Sequence, residues 1–223
     1  MEHDGSAAGR QRWEPHPLLV LVCALVPFLV VAWYALHSIP NYDGGLNLQV
    51  ARNMADGVGF VRDYGGRVTS PQEVETSGLF LVIAAGAIKV FGTSIFALQL
   101  TNLLFVALLF AAVVWAVRPW PWVMLVAPVW LLFTVPHTAE LLLGGFGEGA
   151  VAALVLAALV LIGTVAAGAS RPLTRLTLAF LLTGLALTVK TVAVAALPIV
   201  LLGLLLVLLA RPALPRLRAV ATV

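Results

Sequence analysis

The feature that most constrains this chain is a succession of long apolar runs separated by short connections. Residues 18–36 form the first run, and residues 95–117, 149–167 and 192–210 form others like it. Crossing a hydrocarbon core of about 30 Å takes roughly 20 apolar residues, which these runs approach. Only 10% of the residues are charged, against about a quarter in soluble domains. The sequence therefore predicts an all-α polytopic membrane protein.

The first apolar run has a competing interpretation as a cleaved signal peptide. A signal peptide has a shorter apolar region followed by a small-x-small cleavage site. Here Trp33 and Tyr34 end the run, and aromatic residues are typical of a membrane interface. We therefore expect an uncleaved anchor with a cytoplasmic amino terminus.

The single cysteine, Cys23, excludes an internal disulfide, and the absence of a basic, aromatic-interleaved patch argues against a nucleic-acid partner.

Charge placement indicates how the chain crosses the membrane. Residues 79–91 are apolar, but a helix of this length reaches only about 20 Å, so we expect it to be interfacial, re-entrant or buried. If it does not cross, Arg118, Arg175 and the arginines after residue 210 all lie on the cytoplasmic side. The positive-inside rule then favours six spans with both termini cytoplasmic, although residues 120–135 and 176–189 are short for spans. We expect this multi-pass protein in a bacterial plasma membrane.

The predicted organisation follows from this topology. The extracytoplasmic first loop is large and carries two juxtamembrane amphipathic helices, near residues 44–56 and 79–91. In order, the segments are a cytoplasmic tail (1–16), the first transmembrane helix (17–37), the loop (38–93), five further transmembrane helices (94–210) and a basic cytoplasmic tail (211–223).

The first loop concentrates the polar residues of the chain. Asp43 is a candidate N-cap and Gly57 a candidate C-terminal stop for a short helix. Leu46, Val50 and Met54 recur every four residues and give this helix one apolar stripe, which suits a helix lying on the membrane surface. Residues 60–68 predict a small hairpin around a Gly-Gly turn.

Several charged residues on the predicted outer side are candidates for chemistry, and each has a structural alternative. A carboxylate can take a proton from an attacking hydroxyl, and an arginine or lysine can hold a phosphate. Alternatively, Asp43 caps its helix, whereas Glu75 and Glu148 begin helices. Lys190 alternatively extends its ammonium group to the interface. The residues alone leave these alternatives open. The candidates are Asp43, Glu75, Glu148, Lys190, Arg52 and Arg67.

The order of motifs resembles that of a known family. The motifs are Tyr42-Asp43 directly after the first span, Gln49-Val50-Ala51-Arg52-Asn53-Met54, Gly57-x-Gly59-Phe60, Glu75-Thr76-Ser77-Gly78, Val90-Phe91-Gly92, Gly147-Glu148 and Leu187-Thr188-Val189-Lys190. This series is similar to the C-type membrane glycosyltransferases (GT-C), in the branch of the protein O-mannosyltransferases and lipid A aminoarabinose transferases, which is like glycosyltransferase family 39. In that family the short helix is juxtamembrane.

The resemblance implies inverting transfer of a sugar from a polyprenyl-phosphate donor to a lipid, glycan or protein acceptor at the extracytoplasmic face. Carried over, Asp43 would be the base that activates the acceptor hydroxyl. Glu75 and Glu148 would line the site and are the candidate ligands if a divalent metal ion is used, which the resemblance leaves open. Lys190 or a loop arginine, Arg52 or Arg67, would hold the lipid phosphate.

The chain departs from the family pattern in three respects. Gly44-Gly45 follows Asp43 where a second carboxylate is usual, and Thr76-Ser77 stands where several subfamilies have Pro-Pro. Family members commonly run to more than twice this length, so the resemblance covers only their amino-terminal half. The chain is then a truncated product, a catalytic module completed by a second chain, or an inactive relative. The alternative function is a non-catalytic membrane subunit or polyprenyl-phosphate-binding protein with the same half-fold.

Overall fold

The fold is that of a computed structural model, in which the described residues are 15–37, 42–64, 67–69, 78–133 and 147–210. Glu75, the Gly-Gly pair at 65–66 and most of both terminal tails lie outside these ranges. Arg67 is placed in a strand, but its side chain also lies outside what is described.

The described chain is helical apart from one small hairpin. Five of its helical segments are long and apolar enough to cross a membrane, which is consistent with a multi-pass integral membrane protein. The elements are α1 (Pro17–His37), α2 (Tyr42–Ala55), β1 (Arg62–Tyr64), β2 (Arg67–Thr69), α3 (Leu79–Phe91), α4 (Ile95–Val117), α5 (Pro121–Phe133), α6 (Glu148–Ala166), α7 (Pro172–Val189), a 3-10 helix (Thr191–Ala196) and α8 (Leu197–Ala210).

The predicted span at residues 120–135 is not among these five. Within the described residues it is represented by α5, whose 13 residues rise only about 20 Å. The last candidate span, Val192–Leu209, combines most of the 3-10 helix with α8. The described residues therefore contain five helical segments that could cross a membrane by length and composition, and the expected six-span topology remains a prediction.

The helices define two opposite ends of the bundle. Ala97 and Leu98 near the start of α4 share a core with Ala150 and Leu154 near the start of α6, so α4 and α6 run in the same direction. The starts of α4 and α6, the end of α7, α2 and α3 form what we call the loop end. The arginine end lies opposite and carries Arg118, Arg171 and Arg175 where α4 ends and α7 begins.

Within the loop end, helix α3 packs over the starts of α4 and α6 and the end of α7. A three-residue turn connects its last residue to α4, and its first turn lies against the end of α7, so both of its ends stay at the loop end. Phe80, Leu81 and Ala84 are at most 1% exposed and pack into the core that α4, α6 and α7 share. Fully burying a phenylalanine or leucine side chain contributes roughly 1.5–3 kcal/mol, so Phe80 and Leu81 stabilise the packing of α3 against the bundle.

Helix α2 corrects two expectations. It begins at Tyr42, so Asp43 lies within the first turn and not at the N-cap. A carboxylate there is still stabilised by the positive end of the helix dipole. Its most buried side chains are Ala51, Val50 and the polar Asn53 and Asn47. Of the expected stripe of Leu46, Val50 and Met54, Val50 is buried and Met54 packs, partly buried, against the same core. The covered face also includes polar residues because α2 packs against α3, so neighbouring side chains, and not apolar spacing alone, decide which residues are covered.

The hairpin is tied to the end of α2. Strands β1 and β2 pair antiparallel with Tyr64 opposite Arg67, within the segment for which the sequence predicts a hairpin. Asn53 is 4% exposed, and its Nδ2 donates to the Val61 carbonyl at 3.1 Å. The Asn53 carbonyl accepts from the backbone N–H of Val58 at 2.9 Å. Asn53 therefore ends α2 and directs the chain into β1.

Candidate loop-end site

The loop end is built around an ion pair between two of the sequence-predicted residues. Glu148 is the first residue of α6, and Lys190 is the extended residue between α7 and the 3-10 helix. The Lys190 Nζ donates to the Glu148 Oε1. The chain breaks helical geometry at Lys190, and this break places the ammonium group beside the start of α6.

The pair is largely removed from solvent. The side chain of Lys190 is 18% exposed and that of Glu148 is 32% exposed. The second carboxylate oxygen of Glu148, Oε2, is buried and has no hydrogen-bond partner within the described residues. Glu148 also lies at the positive end of the α6 dipole, where negative charge is stabilised. Oε2 is thus a buried acceptor suited to a hydroxyl or other donor that enters the site.

The start of α3 meets the same place. Gly78 precedes α3 with φ of 57°, and an added Cβ would lie 2.3 Å from the Thr188 carbonyl oxygen. Thr188 is two positions before Lys190, so the amino terminus of α3 contacts the chain next to the lysine of the ion pair. The first N–H groups of a helix lack intrahelical acceptors and favour anions. A lysine and the amino termini of α3 and α6 therefore converge at the loop end.

The other sequence-predicted residues are placed separately. Asp43 is exposed on α2, and no hydrogen bond or ion pair joins it to Glu148 or Lys190 within the described ranges. Arg52 lines a shallow hollow of about 370 Å³ together with Thr93 and other α2 residues. Arg67 contributes only its backbone position in β2, and Glu75 lies outside the described residues. Among the candidates whose side chains the structure describes, it thus brings together Glu148 and Lys190.

The described residues do not fit a divalent metal site. No group of three or more His, Cys, Asp or Glu side chains lies together among them. Glu148 offers one unpaired oxygen, and its neighbour is the ammonium group of Lys190. Divalent cations favour several oxygen ligands, and a cation beside the carboxylate repels a second one. No step is therefore assigned to a metal here.

One buried polar pair in α4 is not among the candidates predicted from the sequence. Asn102 Nδ2 donates to Gln99 Oε1 at 2.9 Å within α4, and the two residues are 3% and 1% exposed. The Nε2 of Gln99 has no partner in the part of the chain that is described. The available signal was two amides spaced three residues apart inside an apolar run, because polar side chains within spans are costly and tend to be functional.

Comparisons with known proteins leave the family of the chain undetermined: no family model, no curated protein and no solved structure matches it.

Proposed function

We propose that the chain is a membrane glycosyltransferase, or the catalytic module of one, that transfers a sugar from a polyprenyl phosphate to an acceptor at the extracytoplasmic face. The observation that carries this proposal is the Glu148–Lys190 pair beside the amino termini of α3 and α6. A cation and helix N-termini at the ends of apolar helices suit a phosphate whose lipid tail stays in the membrane.

The proposed reaction uses these groups in distinct roles. The acceptor hydroxyl loses its proton to the Asp43 carboxylate, and its oxygen attacks the anomeric carbon of the sugar. The bond from that carbon to the phosphate oxygen breaks, the configuration inverts, and the polyprenyl phosphate leaves with the bonding electrons. Lys190 stabilises the charge on the departing phosphate, while the Oε2 atom of Glu148 accepts a hydrogen bond from a hydroxyl of the sugar.

A second function has its own supporting observation. Lys190 is already neutralised by Glu148, and Asp43 makes no ion pair or hydrogen bond with this pair within the described ranges. A protein that binds polyprenyl phosphate without transferring its sugar needs the cation and the helix termini but no base. The non-catalytic binding protein is therefore the alternative.

Sugar transfer from labelled polyprenyl-phosphate sugars, in membranes containing this chain, separates the two functions. Asp43→Asn keeps the size of the side chain and removes the base, and Asp56→Asn is the matched control at an exposed position directly after α2. Transfer that falls by about 10²-fold or more in Asp43→Asn alone supports catalysis. Transfer that is equal in the two variants removes Asp43 from the mechanism. Binding of the donor with no turnover in any variant favours the binding protein.

A further inference from the structure

A groove at the arginine end is unrelated to the proposed transfer site. It measures about 550 Å³ and opens between the last turns of α4 and α6, a size within the roughly 300–1,000 Å³ of ligand sites. Its walls are mainly apolar and include Leu156, Leu159 and Val160. Arg118 and Trp120, both exposed, lie at the end of the groove where α4 terminates.

The mouth of the groove is positively charged. The Arg118 guanidinium lies 5.9 Å from the centroid of the Trp115 ring, within the range of a cation–π contact. Thr164 lines the groove, and its Oγ1 accepts a hydrogen bond from Arg175 Nη1 at 3.0 Å. A second guanidinium is thereby held at the groove's edge. The connections at residues 118–120 and 167–171 contain no carboxylate.

We propose that this groove binds an anionic glycerophospholipid. The phosphate would lie on Arg118, and part of an acyl chain would lie along the apolar walls. Apolar walls that lead to a cationic mouth match an amphiphile better than a free phosphate. Arginines at the ends of spanning helices attract anionic headgroups, and tryptophans such as Trp120 are enriched at that depth.

Lipid retention by the purified full chain tests this inference. The protein is incubated in detergent with equal amounts of phosphatidylglycerol and phosphatidylcholine and separated by size exclusion, and the retained lipid is measured by mass spectrometry. We expect about fivefold or greater enrichment of phosphatidylglycerol, reduced about fivefold by Arg118→Gln. Arg171→Gln is the control, because it removes an exposed charge at the same end from a residue that does not line the groove. Equal retention of the two lipids, or equal enrichment in the two variants, overturns the proposal.

A second pair of variants tests the groove by volume. An added Cβ at Gly163 or at Gly184 meets nothing within 4 Å, but only Gly163 lines the groove. Gly163→Leu should therefore fill the groove and lower phosphatidylglycerol retention severalfold, whereas Gly184→Leu should leave it unchanged. Equal retention by these two variants rejects the groove as the site. Inorganic phosphate should not displace the lipid more than sodium chloride of equal ionic strength, and selective displacement would identify a simple phosphate site instead.

Discussion

The two ends of the bundle use charge in opposite ways. At the loop end, Glu148 and Lys190 are mostly buried and neutralise each other. At the arginine end, Arg118 and Arg171 are exposed, and the connections that carry them contain no carboxylate. A buried charge is costly unless it is paired, whereas an exposed arginine can be left to water or lipid headgroups. The charges at the loop end therefore interact with each other inside the protein, whereas the charges at the arginine end are available to water or lipid headgroups.

The loop end is also more closely packed than the arginine end. The loop end has a second layer, in which α2 covers α3 and α3 covers the starts of α4 and α6. At the arginine end the last turns of α4 and α6 leave an open groove. Substitutions at the loop end should therefore cost more stability than substitutions at the arginine end.

The largest effect is expected at the contact between α3 and α7. Gly78→Ala places a Cβ against the Thr188 carbonyl in a backbone conformation that favours glycine. Overpacking and backbone strain together should lower stability by about 3 kcal/mol or more. Gly86→Ala, also on α3 but with open space around its Cβ, should be neutral or slightly stabilising. Thermal unfolding followed by circular dichroism measures both, and equal melting temperatures would show that this close contact does not form.

The next largest loss of stability is expected when Lys190, the largely buried cation of the loop end, is neutralised, and Arg118 at the arginine end is the comparison. Lys190→Gln leaves the Glu148 carboxylate without its partner. We expect a loss of about 1–3 kcal/mol, between the values for buried and exposed pairs, because both side chains retain some exposure. Arg118→Gln should cost less than about 0.5 kcal/mol, since its side chain is exposed. In a double-mutant cycle Glu148→Gln should offset part of the Lys190→Gln loss. Additive losses would mean that the pair does not contribute to stability.

A smaller effect than at the loop end is expected for the hydrogen bond that Arg175 makes at the arginine end. Thr164→Val removes the hydroxyl that accepts from Arg175 Nη1 and donates to the Leu161 carbonyl. The expected loss is about 1 kcal/mol. Thr174→Val, at an exposed position of α7, is the control and should change the melting temperature little. A Thr164→Val loss as large as that of Gly78→Ala would contradict the contrast in packing between the ends.

The long helices could be predicted from the sequence because the pattern that indicates them, a run of apolar residues, is local. The first span was predicted at residues 17–37 and the short helix at 79–91, and the structure has helices with these bounds. Apolar runs of this kind satisfy their backbone within the segment, so length and composition are sufficient. The span expected at residues 120–135 contains Pro121 and Pro128, and its described part is a shorter helix.

The site was harder to predict because it depends on contacts between residues that are distant in the sequence. Glu148 and Lys190 were each predicted, but their pairing joins residues 42 positions apart. The close contact of Gly78 with Thr188 depends on how α3 docks, which no local pattern encodes. The buried face of α2 was predicted only in part: Val50 is buried as the apolar stripe predicts, but Asn47 and Asn53, which an apolar stripe leaves out, are buried as well.

The central claim is that the two ends lie on opposite sides of a membrane, with the loop end extracytoplasmic. Thr93 and Ser170 are exposed, one at each end, and the chain has a single cysteine. In a Cys23→Ala background, Thr93→Cys and Ser170→Cys are treated in intact cells with a membrane-impermeant maleimide. The account predicts labelling at Thr93→Cys and none at Ser170→Cys until the membrane is opened. Labelling of Ser170→Cys alone, or of both in intact cells, would contradict it.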